Sequence, residues 1–145
     1  MKAIIQRVSE ASVTIDGKVS GSIEKGLMVL LGIHKDDDKK IMDWMINKIV
    51  NLRIFEDEAG KMNLSVKDIS GGILVVSNFT LYGNAKKGFR PSFTEAAKPA
   101  ISEPLYDKFL EKINREDIKV QSGEFGAMMD VSMTNSGPVT ITLEK

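Results

Sequence analysis

The sequence predicts an α/β domain of the α+β type, in which a curled, largely antiparallel sheet or barrel carries two main helices. Short segments that alternate apolar and polar residues follow one another over residues 3–23, as in antiparallel strands. Residues 27–33 and 72–77 are almost entirely apolar, which is typical of strands covered on both faces. Two longer segments carry apolar residues at helical spacing, so helices should supply that cover.

Composition indicates an ordinary globular protein and excludes several chemistries. A length of 145 residues favours a single domain spanning 1–145, and 42% hydrophobic with 28% charged residues argues against disorder. Lysine plus arginine and aspartate plus glutamate balance at 20 each, so a nucleic-acid partner must be met by a local patch. The absence of cysteine excludes disulfides, a thiolate nucleophile and a cysteine zinc site.

Neither a targeting segment nor a cofactor motif is apparent. The first residues alternate without the apolar core of a signal peptide, and the longest apolar run, residues 27–31, is too short for a membrane helix. No phosphate-binding glycine loop, dinucleotide fingerprint or His-Glu-x-x-His motif occurs. We therefore expect a soluble cytoplasmic protein with no metal, no cofactor and no membrane partner.

The first third of the chain is predicted to be all strand. Residues 3–7 and 13–15 alternate and lead into an Asp-Gly turn at 16–17, which is a strong hairpin signal. Residues 19–23 and 27–33 read as two further strands joined by a short turn. These strands should form the first part of the sheet.

A helix is predicted over residues 37–51. Three aspartates at 36–38 precede it, where negative charge complements the helix dipole, and an apolar stripe follows. The stripe consists of Ile41, Met45, Ile49 and Leu52, extended by Trp44 and Lys48. A capped helix start is favoured over a metal site, because consecutive residues at a helix start point in different directions.

The remainder of the chain adds a hairpin, a second helix and further strands. Segments 53–55 and 62–64 flank a turn, and 72–77 is the second apolar strand. Ser102 is predicted to cap a helix whose apolar face is formed by Leu105, Phe109 and Ile113. Strands are then predicted near 118–121, 128–133 and 139–143.

The segment that leaves the buried strand 72–77 is a candidate ester-binding site. Its residues offer two hydroxyls and a turning backbone whose N–H groups can face a developing oxyanion. The candidate catalytic residues are Ser77, Asn78, Phe79 and Thr80. The alternative is that the hydroxyls only satisfy neighbouring backbone groups where the strand ends. The single histidine, His34, reads as a strand-end residue rather than a general base.

A second unusual segment lies before the last strand. Residues 135–140 read Asn-Ser-Gly-Pro-Val-Thr, and a proline beside a strand belongs at an edge, a bulge or a strand start. The Gly137–Pro138 bond can adopt the cis form cheaply and can turn its carbonyls outward as rigid acceptors. Ordinary turn chemistry is the competing interpretation.

A basic loop is the candidate RNA contact. It joins positive charge to an aromatic ring that can stack on a base, and its relevant residues are Lys86, Lys87, Phe89 and Arg90. A solvated loop with no partner is an equally good interpretation.

Together, the segments Ser-Asn-Phe-Thr-Leu at 77–81 and Asn-Ser-Gly-Pro-Val-Thr at 135–140 resemble the two signature segments of the D-aminoacyl-tRNA deacylases. Residues 6–13, Gln-Arg-Val-Ser-Glu-Ala-Ser-Val, are similar to that family's first hairpin, and the likeness runs the whole chain. The resemblance implies a homodimeric hydrolase that cuts D-amino acids, and also glycine, from the acceptor end of tRNA while rejecting L-aminoacyl esters.

The resemblance also implies roles for particular residues. A cis Gly137–Pro138 bond would enter the partner subunit's site and present carbonyls to the α-amino group, with Asn135 in the same element and Arg7 lying against it. Thr80 and the amides around Phe79 would lie at the scissile ester. Either the threonine hydroxyl attacks, or the 2′-hydroxyl of the tRNA assists a water. The family usually has glutamine where this chain has Asn78, so the reach of that amide differs.

Two other classes of function compete with this interpretation. One is a non-catalytic RNA- or ligand-binding dimer that uses the loop 86–90. The other is a serine or threonine amidase, although an amide is harder to break without a recognisable base.

Overall fold

A curled sheet of six strands forms the body of the computed structural model, which describes residues 1–145. In chain order the elements are β1 (Lys2–Ile15), β2 (Lys18–Ile23), β3 (Gly26–Gly32), α1 (Lys39–Asn51), β4 (Phe55–Glu56), β5 (Met62–Leu64), β6 (Gly72–Ser77), a 3₁₀ helix (Phe79–Tyr82), α2 (Pro99–Ile113), β7 (Lys119–Ser122) and β8 (Asp130–Glu144). β4 and β5 form a separate small hairpin.

The strand order explains how the sheet curls. β1 pairs antiparallel with β2, β3 and β8, and β6 lies parallel between β3 and β7. A side chain on Gly21 of β2 would lie 2.8 Å from the carbonyl of Ser122 in β7, so the two ends of the sheet meet and the barrel nearly closes. The predicted fold class is confirmed, and its parallel part arises where α1 and α2 return the chain to the sheet.

Two apolar layers hold this arrangement. The larger core lies between the sheet and the helices, where α1 contributes Met42, Met45, Ile46 and Ile49 and α2 contributes Tyr106, Phe109 and Ile113. The smaller core fills the inside of the curl and contains Val8, Ala11, Val13, Ile23, Met28, Leu74 and Val76. β3 and β6 contribute to both cores, which accounts for their continuous apolar sequence.

β1 and β8 are longer than predicted. β1 is one strand of 14 residues rather than two short ones. β8 joins the last two predicted strands, 128–133 and 139–143, although it begins at Asp130 rather than at 128. In the pairing of the two, Val8 opposes Asn135 and Gln6 opposes Thr140. Residues 136–139 therefore bulge out of the hydrogen-bonded ladder between β1 and β8. Because β8 continues on both sides of this bulge, the interpretation of the segment as an ordinary turn is wrong.

The second helix begins earlier than predicted. α2 starts at Pro99, because a proline suits the first helical position, where its missing N–H needs no acceptor. Ser102 is thus inside the helix, and its hydroxyl donates to the carbonyl of Lys98 at 3.1 Å instead of capping the helix. The predicted cap at Ser102 is wrong.

The aspartates before α1 have different partners, as expected for a helix start. Oδ1 of Asp38 accepts from the N–H of Ile41 at 2.9 Å and caps the helix. The side chain of Asp37 is buried, and it accepts from the N–H of His34 at 2.7 Å and from the α-amine of Met1 at 2.5 Å.

Replacing Asp38 with alanine should lower the free energy of unfolding by about 1 kcal/mol, because the N–H of Ile41 loses its acceptor. Chemical denaturation of the purified protein measures the change. Asp36→Ala is the matched control, since Asp36 caps nothing in α1 and should unfold like the wild type. Equal loss in both variants would contradict the assignment of Asp38 as the cap.

No helix of the protein combines the length and the apolar character needed to cross a lipid bilayer.

Candidate active site

The candidate catalytic segment begins at the carboxyl end of β6. Ser77 ends the strand, and the N–H of Asn78 still donates to the carbonyl of Leu31 in β3 at 2.8 Å. The chain then turns into the 3₁₀ helix Phe79–Tyr82, with Asn78 as its N-cap. A buried apolar strand pair thus fixes the start of the segment, and the next residues emerge at the surface.

The side chain of Asn78 binds both donor groups of Thr80. Its Oδ1 accepts from the N–H of Thr80 at 3.0 Å and from the Thr80 hydroxyl at 2.5 Å. The N–H of Phe79 has no acceptor within the chain. The ring of Phe79 is 57% exposed and packs edge-to-face on Phe93, with 5.1 Å between ring centroids. The segment therefore offers one unpaired backbone amide beside an aromatic wall.

A cavity of about 710 Å³ opens beside this segment. All four candidate catalytic residues line it. Its walls are mainly apolar and come from four separated parts of the chain, residues 30–33, 76–80, 93–102 and 125–131. They include Phe93, Ala97, Phe125, Met128 and Met129. A cavity of this size holds a ligand of several hundred daltons. Its polar lining residues are Ser77, Asn78 and Thr80, together with Lys98 and Ser102 at the start of α2.

The Gly-Pro bulge is a second, separate feature. Its Gly137–Pro138 bond is cis, and both residues are exposed. Asn135 braces the bulge, since its Oδ1 accepts from the N–H of Val139 at 2.9 Å and its Nδ2 donates to the Thr140 hydroxyl at 3.0 Å. The backbone outside the ladder is thereby held in one shape.

Arg7 fastens the bulge to the body of the protein. Its side chain is almost fully buried, with Nε donating to the carbonyl of Ser136 at 3.0 Å and Nη1 to the carbonyl of Ile54 at 2.8 Å. A Cβ on Gly137 would lie 2.7 Å from Nη2 of Arg7, so the guanidinium lies directly against the glycine. Glu56, at 3.8 Å from Nη1, adds a weak ionic contact.

The two features do not meet within one chain. None of the residues 135–138 lines the cavity beside Ser77–Thr80, although Met129 and Val131, just before and within β8, do. The bulge and the cavity are therefore separate features of this chain.

The basic loop stands apart from the cavity. Two hydrogen bonds between Asn84 and Ser92, at 2.7 and 2.9 Å, close its base, and Phe89 at its tip is fully exposed. Lys86 borders a second, polar cleft of about 340 Å³. Lys87, Phe89 and Arg90 line neither cavity.

His34 has a structural setting. Its Nε2 lies 3.0 Å from Glu95, and that hydrogen bond, followed by the one from Lys35, holds the pKa of Glu95 below its usual value. Burial raises the pKa of the neighbouring Tyr82 phenol, and the Asp37 and Glu144 carboxylates act in the same direction. His34 does not line the larger cavity, so the candidate site contains no histidine base.

The sequence did not predict which residues form the walls of the cavity. Phe93, Phe125 and Met128 lie in irregular segments without periodicity, and each is far from Ser77 in the sequence. The one signal available was the pair of consecutive apolar residues Met128 and Met129, which the sequence places at the start of a predicted strand, whereas β8 begins only at Asp130.

Two solved structures share the fold of this chain. One solved structure, described as a probable eukaryotic D-amino acid tRNA deacylase, superposes with a TM-score of 0.84 at 18% identity and covers 98% of this chain and 97% of its own. It shares the fold. Another, described as the c-Myc DNA Unwinding Element Binding Protein, has a TM-score of 0.95 at 44% identity and covers 100% and 99% of the two chains.

Sequence comparison then gives the family. Residues 4–144 match the family described as D-Tyr-tRNA(Tyr) deacylase. The D-aminoacyl-tRNA deacylases of Kosmotoga olearia and Aquifex aeolicus are 57% and 56% identical, each over 99% of this chain and 97% of the relative. The chain therefore belongs to the D-aminoacyl-tRNA deacylase family and is a hydrolase, which confirms the resemblance seen in its two motifs.

Proposed function

We propose that this protein hydrolyses the ester between a D-amino acid and the terminal ribose of tRNA, releasing free amino acid and tRNA in the cytoplasm. The observation that carries the proposal is a cavity whose lining at Ser77–Thr80 offers one unpaired backbone amide and two hydroxyls but no histidine or carboxylate base. Membership of the deacylase family supports it.

The reaction suits such a site. An aminoacyl ester is activated, so positioning and stabilisation of the developing oxyanion supply most of the required acceleration. The oxygen of a water or of the Thr80 hydroxyl adds to the carbonyl carbon, the bond to the ribose oxygen breaks, and the proton of the attacking hydroxyl passes to that ribose oxygen. Where Thr80 attacks, a water then hydrolyses the acyl-threonine ester and restores the hydroxyl. Ser77, Asn78, Phe79 and Thr80 surround the ester in this proposal.

A rigid wall of backbone distinguishes D- from L-aminoacyl esters in this proposal. D- and L-aminoacyl esters have the same intrinsic reactivity, so discrimination must come from the placement of groups around the α-carbon. A stiff backbone excludes an L side chain by a clash, which is specificity through repulsion. A glycyl ester has no side chain that could clash with this wall, so glycine mischarged on other tRNAs is a further substrate.

The wall comes from the partner subunit of a homodimer. Gly137 and Pro138 of one copy enter the cavity of the other and present carbonyl oxygens to the α-amino group, while Asn135 and Arg7 keep them in place. The separation of the bulge from the cavity of its own chain supports this arrangement.

The acceptor end of the tRNA lies along the basic loop in this proposal. Lys86, Lys87 and Arg90 contact phosphates, and the exposed ring of Phe89 stacks on a base. Because the chain has no net charge, binding is modest and weakens with added salt.

A second candidate function is nucleic-acid binding without catalysis. It is favoured by the 44% identical structure described as a DNA unwinding element binding protein, together with the exposed basic loop.

One experiment separates the candidates. Purified protein is incubated with D-tyrosyl-tRNA, L-tyrosyl-tRNA and a tyrosine peptide, and its affinity for duplex DNA is measured in parallel. Rapid loss of the D ester alone supports the proposed function. Retention of both esters with tight nucleic-acid binding supports the second candidate, and cleavage of the peptide would indicate an amidase.

A further inference from the structure

The cavity beside Ser77–Thr80 has one charged side chain in its lining, that of Lys98. This lysine immediately precedes α2 and is exposed. Its ammonium makes no hydrogen bond or ion pair within the chain. The carboxylate nearest to it in the sequence, Glu95, is bound by His34 and Lys35 instead. One unpaired positive charge is therefore free to meet a ligand that enters the cavity.

The fold itself gains nothing from a lysine at this position. Residues that precede a helix usually accept a hydrogen bond from its first turn, and the side chain of Lys98 makes no such bond. Its charge also lies at the positive end of the helix dipole, where a cation is unfavourable. A residue that breaks local rules without a compensating contact is typical of a functional site. The charge of Lys98 is therefore better explained by a ligand than by folding.

The backbone of Lys98 is firmly held, although its side chain is free. Its carbonyl accepts from the N–H of Ile101 at 2.9 Å, and from the N–H and the hydroxyl of Ser102 at 3.0 and 3.1 Å. The lysine stem thus starts from a fixed point at the edge of the cavity.

That fixed point lies close to the ester-binding segment. The N–H of Ala97 donates to the carbonyl of Ile33 at 2.9 Å, and the N–H of Asn78 donates to the carbonyl of Leu31 at 2.8 Å. The two carbonyls are two residues apart at the end of β3, about 7 Å along an extended strand. The long stem of Lys98 can therefore bring its ammonium beside a substrate whose ester lies at residues 77–80.

The substrate of the proposed function carries a negative group close to that ester. The terminal ribose bears the aminoacyl ester on one side, and a phosphodiester on the other side joins it to the preceding nucleotide. We propose that Lys98 is a substrate-binding residue whose ammonium binds this last phosphodiester of the acceptor end. The inference rests on the proposed function, because it names the part of the RNA that enters the cavity. The basic loop then contacts phosphates farther from the ester.

Lys98→Ser tests the inference on two esters that differ in the phosphodiester. D-tyrosyl-tRNA contains this group, whereas D-tyrosyl-adenosine has the same ester, ribose and base without it. We expect KM for D-tyrosyl-tRNA to rise about tenfold, as when one hydrogen bond to a charged group is lost, with kcat at the wild-type value. The preference for the tRNA ester over the adenosine ester, measured as kcat/KM, should shrink by the same factor.

Two further measurements report the cause of the change. A phosphate contact contributes to the salt dependence, so the slope of log(kcat/KM) for D-tyrosyl-tRNA against log salt should become shallower by about 1. Serine is a good helix cap, so the midpoint of thermal unfolding should rise by about 3 °C. Weaker binding by a more stable protein excludes unfolding as the cause.

Lys108→Ala is the matched control. Lys108 is also exposed and on α2, and it lines neither cavity. Each variant has 19 instead of 20 lysine and arginine residues, so both change the net charge equally. The control should keep the wild-type KM and salt dependence.

The outcomes separate this inference from the proposed function. Equal increases of KM in Lys98→Ser and Lys108→Ala would overturn the role of Lys98, as would equal losses on the two esters or a fall confined to kcat. If the wild type leaves D-tyrosyl-tRNA intact, the proposed function itself fails.

Discussion

Gly137→Ala is expected to reduce hydrolysis of D-tyrosyl-tRNA about a hundredfold, which is the loss that a displacement of about 1 Å in a reacting geometry can cause. Gly137 has φ +124°, where an L side chain is strained by about 1–3 kcal/mol. The added methyl group would lie 2.7 Å from Nη2 of Arg7 and 2.9 Å from Cγ2 of Val139. The bulge must therefore shift away from Arg7, and its carbonyls shift with it.

The rest of the fold should tolerate this change, because the bulge lies outside the ladder between β1 and β8. Gly60→Ala is the matched control. Gly60 also has a positive φ, +72°, but an added methyl group there would meet nothing within 4 Å. The control should hydrolyse the D ester at the wild-type rate. Wild-type activity in Gly137→Ala would remove the bulge from the site.

Arg7→Lys should both destabilise the protein and slow the reaction, although the charge is kept. The guanidinium of Arg7 reaches two carbonyls in different directions, those of Ser136 and Ile54, which a single ammonium cannot do. One carbonyl of a nearly buried site is left unpaired, at a cost of about 2 kcal/mol in the free energy of unfolding. The loosened bulge should lower kcat/KM for D-tyrosyl-tRNA at least about tenfold.

Arg53→Lys controls for the substitution itself. Arg53 also donates to a backbone carbonyl, that of Asn63 at 2.6 Å, but it is exposed and does not touch the bulge. Its replacement should change the free energy of unfolding by less than about 0.5 kcal/mol. Denaturation curves and deacylation rates are compared for the two variants. Equal behaviour of both would show that Arg7 does not hold the Gly-Pro element.

The sequence predicted the fold well where local patterns decide it. The apolar runs of β3 and β6 identify strands covered on both faces, and the stripe of α1 identifies a helix, although Ile41 and Leu52 turned out to be only partly buried. The start of α2 was wrongly predicted at Ser102, because a serine before an apolar stripe is typical of a helix start. Pro99 fits the first turn equally well, and the helix begins there. Which residue begins a helix depends on the tertiary contacts of its first turn, and the sequence does not show these contacts.

The candidate site was predictable in its polar part only. Ser77 to Thr80 stand out because polar residues abruptly follow a buried strand, and Gly137–Pro138 because a proline interrupts an alternating pattern. The double hydrogen bond from Thr80 to Asn78 depends on side-chain rotamers, which the sequence does not show. The distance between the cavity and the bulge depends on the register of β1 with β8.

The central claim is that the cavity of one subunit is completed by the Gly-Pro bulge of another. Gly83→Val is a variant that should damage the cavity and leave the bulge intact. Gly83 itself borders the second cleft, but a Cβ there would lie 2.9 Å from the carbonyl of Thr80 and 3.1 Å from the ring of Phe93, both of which line the cavity. Gly137→Ala should damage only the bulge. Each variant alone is expected to be nearly inactive.

The two variants are co-expressed with different tags, and the mixed dimer is purified through both. One of its two sites then combines an intact cavity with an intact bulge, so the account predicts about half the wild-type rate on D-tyrosyl-tRNA, as two-fold symmetry requires. L-tyrosyl-tRNA should stay intact. A mixed dimer as inactive as its parents, or a fully active monomer in sedimentation, would contradict the account.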